Sequence, residues 1–213
     1  MENGLNFKKK SFKERLTTML RVDFRRALKS KLFYIFAVTM LCSGASEIAM
    51  SQWASAFAES GLGVSKTLGD LLGPCLFAVL MGTARVFYSR ISEKISLQKA
   101  MTISGALCVI SYLTAALSPV PLISLFGCAL CGLSVGIMWP GTFSLASEKM
   151  PQGGTAMFAF LALFGDLGCS MGPAAVGKAI TLSGGNMNTG MLVGIIFPLI
   201  LIIAVRSLKS VKK

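Results

Sequence analysis

The sequence predicts an all-α membrane protein: six transmembrane helices preceded by a basic amphipathic helix lying along the bilayer surface. Three observations predict it. Hydrophobic residues make up 54% of the 213 and charged residues only 14%, with a mean hydropathy of +0.69; a soluble domain of this size needs more charge to cover its surface. The apolar residues come in long runs rather than in stripes, which is the pattern of helices surrounded by lipid. The cations are also uneven, with ten of the 21 Lys and Arg in the first 31 residues.

The first segment, residues 1–31, is read as cytoplasmic. Residues 1–10 are polar and basic. From 11 to 30, Phe12, Leu16, Met19, Leu20, Phe24, Ala27 and Leu28 recur at helical spacing, while Lys13, Arg15, Arg21, Arg25 and Arg26 fill much of the rest. This is a basic amphipathic helix suited to a headgroup surface. The formal net charge is +12, and a basic total can signal nucleic acid. Here the basic segment runs straight into an apolar span, so its partner is anionic lipid and no nucleic-acid partner is expected. That span is too long for a signal peptide and lacks a convincing cleavage site.

The bundle occupies 32–208, with a basic cytoplasmic tail at 209–213. Its spans fall at 32–57, 68–90, 99–117, 121–147, 154–180 and 190–208; a bilayer core needs about 20 helical residues. Turn chemistry separates them at Gly61 to Gly63, Ser118 to Pro121, Pro151 to Gly154 and Ser183 to Asn186. With the N-terminus inside, 19 Lys and Arg fall on the inner side and two, Lys66 and Lys178, outside. The reverse topology inverts that ratio, so both termini are expected in the cytoplasm of a cell whose inner membrane holds the chain.

Four small-x-x-x-small motifs end on Gly69 and Gly73, Gly132 and Gly136, Gly168 and Gly172, and Gly190 and Gly194. Such spacing lets helix backbones approach closely in lipid, and four of them argue for a tight bundle. Pro74, Pro140, Pro173 and Pro198 lie within spans, each removing a backbone hydrogen bond and tending to kink its helix. A faint repeat matches Gly44, Ser46, Met50 and Ala58 in the first span to Gly132, Ser134, Met138 and Ala146 in the fourth, as a three-plus-three inverted repeat would. The six cysteines all sit in apolar runs and are read as small buried packing residues.

Charges inside lipid are expensive, so each needs a reason. Glu47 lies about 15 residues into its span and Asp166 about 12, near the bilayer centre at roughly 1.5 Å per residue. Their helical faces are small and partly polar, suited to a hydrated central cavity. Glu47 is read as a group that hydrogen-bonds a substrate or carries a proton, the alternative being a carboxylate clamped to a neighbouring helix. Asp166 has the same two readings in a Gly-rich, hinge-like setting. Trp53 and Trp139 offer aromatic faces, which bind sugar rings and cations or simply pack, and Gln52 adds a hydrogen-bonding amide. Arg85, Arg90 and Glu93 follow the second span and Glu148 ends the fourth; these are candidates for a cytoplasmic gate, with snorkelling to headgroups as the alternative. Enzymatic sites are unsupported. Without histidine there is no Ser-His-Asp set and no H-E-x-x-H zinc motif, and no phosphate-binding loop is present. No cofactor and no metal are expected.

Several of these segments carry a resemblance. Residues 82–94, GTARVFYSRISEK, resemble a degenerate copy of the G-x-x-x-D-R-x-G-R loop signature of the major facilitator superfamily, lacking its acidic residue and second glycine. Residues 165–173, GDLGCSMGP, resemble the Gly-rich fifth helix of a half in that family. Ser46 and Glu47 through Trp53 are similar to the first helix of the C-terminal half in sugar-type members related to fucose permeases, and residues 11–30 resemble the linker between halves. The resemblance implies twelve helices in two bundles, with these six as the second. It further implies alternating access to a solute near the midplane, commonly coupled to protons. The expected function is therefore secondary active transport (symport) of a small polar solute, a sugar or related metabolite. The chain would act as one half of a transporter, paired with an N-terminal half or with itself. The alternative is a truncated, non-transporting membrane remnant or an assembly partner.

Overall fold

The computed structural model describes residues 30–208. They form six long helices: α1 Lys31–Ser60, α2 Lys66–Ile91, α3 Leu97–Leu117, α4 Pro121–Lys149, α5 Gly154–Leu182 and α6 Met187–Ser207. Each has 21 to 30 residues and is apolar enough to cross a bilayer. Every expected span is recovered to within a few residues at each end. The local chemistry at the breaks is as the sequence implies. Pro121 opens α4 at its first turn, where its missing N–H costs nothing. Asn186 caps α6, its side chain accepting from the Thr189 N–H at 3.2 Å. Gly184 and Gly185 adopt φ of 71° and 92°, a left-handed turn that a side chain would oppose. The expected surface helix at 11–30, save its last residue, and the tail at 209–213 lie outside the described residues.

The bundle is assembled through backbone proximity rather than bulky contacts. Lipid tails are as apolar as leucine, so helices gain little from hiding apolar surface and associate through close packing. All four glycine motifs sit at helix contacts, against backbone or small side chains in three and against the Ile180 and Tyr112 side chains in the fourth. On α5, a Cβ at Gly168 would overlap the Leu41 carbonyl oxygen, and one at Gly172 would stand 2.5 Å from that of Ala45. On α4, a Cβ at Gly136 would stand 2.7 Å from the Met81 carbonyl oxygen of α2. Gly69 and Gly73 set α2 against Ala58 and Ala54 of α1, and Gly190 and Gly194 seat α6 on Ile180 and Tyr112. The Ser55 hydroxyl donates to the Asp70 carboxylate, tying the end of α1 to the start of α2.

The eight residues of the expected repeat are all buried. Their packing is equivalent too: Gly44 of α1 lies against Gly165 of α5, and Gly132 of α4 lies against Phe77 of α2. The first helix of each triplet thus packs on the second helix of the other. Of the four prolines, Pro74 sits in a π turn, Leu71–Cys75, where the Leu76 N–H reaches back five residues to Leu71. Pro140 and Pro198 follow breaks at 136–137 and 195. Pro173 is accommodated inside an uninterrupted α5. The cysteines need a correction. Cys42, Cys108, Cys128 and Cys131 are buried, but Cys75 is exposed and Cys169 half-buried, because they fall on the outward face of α2 and the open face of α5.

Gly168→Val places a branched side chain into the α1 backbone and is expected to cost about 3 kcal/mol or more. Gly82→Ala, with nothing within 4 Å of its Cβ position, is expected to leave stability unchanged. Thermal unfolding of the two variants in detergent checks the contrast.

Candidate functional site

Because α1 and α5 touch backbone to backbone, their side chains share one wall. Glu47 and Trp53 of α1 are half-buried and Gln52 is exposed. Facing them, α5 contributes Cys169, Ser170, Pro173 and Lys178; with Gln52 and Trp53 these line an open cleft of ≈ 540 Å³. The Trp53 indole N–H donates to the Pro173 carbonyl at 3.0 Å, and its ring lies where a Cβ on Gly177 would be. Its polar end is therefore spent on α5, and what it offers the cleft is a ring surface.

Neither mid-membrane acid is among the residues that line this cleft. Asp166 is exposed on α5, and its backbone carbonyl accepts from the Ser170 hydroxyl at 3.2 Å. Cys169, in the cleft lining, lies about one helical turn beyond Asp166 on α5. Glu47 feels the charge of Arg85 from α2. Trp139 is not in the cleft lining. Its ring covers Gly165, next to Asp166, and meets Phe143 edge-on at 6.3 Å; Phe143 meets Phe158 of α5 at 5.9 Å. It braces α4 against α5 at the level of the acids.

The expected gate residues divide. Arg85 turns to α4, its Nε–H donating to the Gly136 carbonyl at 3.0 Å. It lines a second cavity of ≈ 370 Å³ with Tyr88, Ser89, Ser92, Pro140 and Ser144. Arg90, Glu93 and Glu148 are exposed at the helix ends. One residue escaped the sequence reading. Tyr112 of α3 is fully buried and donates to the Ser46 carbonyl at 2.9 Å, anchoring α1 one residue before Glu47. A tyrosine hydroxyl in mid-span needs a partner, and that requirement was the available signal. The neighbouring Ser46 hydroxyl is buried without a hydrogen-bond partner. No cluster of three or more His, Cys, Asp or Glu suited to a metal ion occurs among the described residues.

Six apolar helices long enough to cross a bilayer define a multi-pass membrane protein. Residues 4–173 match the family model of the Major Facilitator Superfamily, and the chain belongs to that superfamily. It is also similar to Membrane protein MosC of Rhizobium meliloti, 28% identical over 160 residues that cover 75% of this chain and 38% of that protein. The chain thus spans well under half the length of that curated relative. No solved structure matches it.

Tyr112→Phe removes the donor to Ser46 and is expected to destabilise the bundle by about 1 kcal/mol. Ser46→Ala removes an unpartnered buried hydroxyl and is expected to be neutral or stabilising by about 1 kcal/mol. Unfolding midpoints in a denaturant series distinguish the opposite signs.

Proposed function

We propose that this chain carries out secondary active transport of a small polar solute, a sugar or related metabolite, by alternating access as one half of a transporter. The observation that carries the reading is the α1–α5 wall. It pairs Gln52 and Trp53 of α1 with Cys169, Ser170, Pro173 and Lys178 of α5 around one open cleft, on the two helices that also carry Glu47 and Asp166. A hydrophobic ring face beside amide and hydroxyl groups suits a polyhydroxylated ring, which has apolar C–H faces and polar edges. Glu47 is the proton- or solute-binding acid, since a mid-span carboxylate beside a wet cleft can exchange a proton without facing lipid. Asp166 and Trp139 support the same level of the cavity. Membership of the superfamily supports the transport class.

The openness of the α1–α5 cleft supports a second six-helix body across it, either an N-terminal half or a second copy. Both termini lie in the cytoplasm of the inner membrane, as the cation distribution requires. Arg90, Glu93 and Glu148 belong to the cytoplasmic gate.

The test is uptake into vesicles containing this chain, alone and together with an N-terminal six-helix bundle, using a panel of sugars, nucleosides and amino acids. Uptake of a sugar under a proton gradient is expected, and Glu47→Gln is expected to lower it at least about tenfold, which is about 1.4 kcal/mol of barrier. No uptake under any gradient in either arrangement overturns the transport reading in favour of an assembly role. Topology has its own check. A thiol introduced as Ser118→Cys is expected to react with an impermeant reagent from outside intact cells. One introduced as Lys94→Cys is expected to react only after permeabilisation.

A further inference from the structure

The α1–α5 cleft has one charged lining group, the Lys178 ammonium, and no carboxylate. Neither that ammonium nor the exposed Gln52 amide has a hydrogen-bond or ion-pair partner among the described residues. The Ser170 hydroxyl gives its hydrogen to the Asp166 backbone carbonyl, so it meets a ligand as an acceptor only. The free polar surface of the cleft is therefore rich in donors and positively charged. The Trp53 ring is held beside it. Its N–H donates to the Pro173 carbonyl at 3.0 Å, and its Cζ2 edge stands 2.8 Å from where a Cβ on Gly177 would be. Lys178 follows Gly177 in the chain, so the ring and the ammonium belong to the same turn of α5.

We propose that this cleft takes a ring solute bearing a carboxylate, a sugar acid rather than a neutral or an amino sugar, with Lys178 and Gln52 holding the carboxylate and the Trp53 face lying against the ring. An ammonium and a primary amide offer donors to two oxygens and neutralise one charge, which matches a carboxylate; a phosphate dianion leaves a charge unmet. The C–H face of a saturated ring packs on an indole. The place of Lys178 in the fold sharpens its need. On the topology proposed above it is one of two cations on the outer side, against 19 on the inner. A second six-helix body across the cleft withdraws the ammonium from water, and a charge taken out of water requires a partner. The lining holds no such partner, and Glu47 and Asp166 are both outside it. Asp166 precedes Lys178 by 12 residues, which is about 18 Å along the helix axis. The solute supplies the missing anion. The inference rests on reading this cleft as the solute site of a transporter.

The experiment measures binding of radiolabelled glucuronate to the purified full chain in detergent, with unlabelled glucose, glucosamine and glucose 6-phosphate as competitors. The four share a pyranose ring and differ in charge. Glucuronate is expected to bind at least about tenfold more tightly than each competitor. Lys178→Gln is expected to bring glucuronate down to the level of glucose while leaving the unfolding temperature unchanged, and Lys178→Arg is expected to keep the preference. Glucose or glucosamine binding as tightly as glucuronate overturns the inference. So does glucose 6-phosphate binding as tightly, a preference untouched by K178Q, or no binding of glucuronate at all. Uptake into vesicles tests the transport reading separately. If glucose is taken up with no preference for glucuronate, the inference falls and the transport reading stands. If glucuronate binds through Lys178 and no solute is taken up, the transport reading falls and the carboxylate site stands.

Discussion

The backbone contact between α1 and α5 is the constraint on which the rest of the molecule depends. Gly44, Gly168 and Gly172 let the backbones meet directly at Gly165, Leu41 and Ala45, so the two helices approach to the distance of their own carbonyls. Nothing else in the bundle could bring Trp53 within hydrogen-bond range of the Pro173 carbonyl, or set Gln52 opposite Ser170 and Lys178 across one cleft. In lipid this approach is favourable because dispersion and weak dipolar contacts replace the hydrophobic gain that would hold a soluble core. The site is a by-product of the seam: where two helices touch this closely, the polar residues flanking the contact must share the space beside it.

A second regularity concerns where the long polar side chains send their hydrogens. Trp53 donates to Pro173 of α5, Tyr112 to Ser46 of α1, Arg85 to Gly136 of α4, and Gln98 to Val205 of α6 at 2.6 Å. Each bond crosses from one helix to the backbone of another. The short hydroxyls behave differently. Thr39, Ser43, Thr102, Ser111 and Thr142 return to carbonyls of their own helix four residues back. Length decides most outcomes: a short hydroxyl satisfies itself locally unless a partner side chain reaches toward it, as Asp70 does toward Ser55. The glycine seams thus set the spacing, and a few long donors fix the register.

This division explains what could be read from sequence. The six spans, their turns and the glycine motifs are local patterns, legible because lipid thickness and turn chemistry act on contiguous residues. Which helix each motif meets is not local: Gly168 announces a close approach without naming Leu41 as its partner. Glu47 and Asp166 were legible as acids needing a reason, and the structure leaves Glu47 half-buried on α1 and Asp166 exposed on α5. Trp139 was legible only as an aromatic near a proline, and its role as a brace on Gly165 depends on how α4 and α5 meet. Arg85 shows the limit most clearly. Its place at the cytoplasmic end of a span suggested the gate and the headgroups, yet its hydrogen bond goes to a carbonyl whose need follows from Pro140, 55 residues further on.

The repeat sharpens the last point. Equivalent buried positions in α1 and α4 give the two helices matching seams, but the residues between those positions differ. Where α1 carries Glu47, α4 carries the buried Val135; where α1 carries Gln52, α4 carries Pro140. The duplicated scaffold therefore holds one helix with an acid and an amide and another with a break and a proline. A symmetric pair with two acids would place a second charge in lipid, and a pair with two prolines would free a second carbonyl. Dividing the tasks avoids both costs. Arg85 of α2 donates to the carbonyl that the proline frees, so the helix packed against the α4 seam also supplies what the break in α4 lacks.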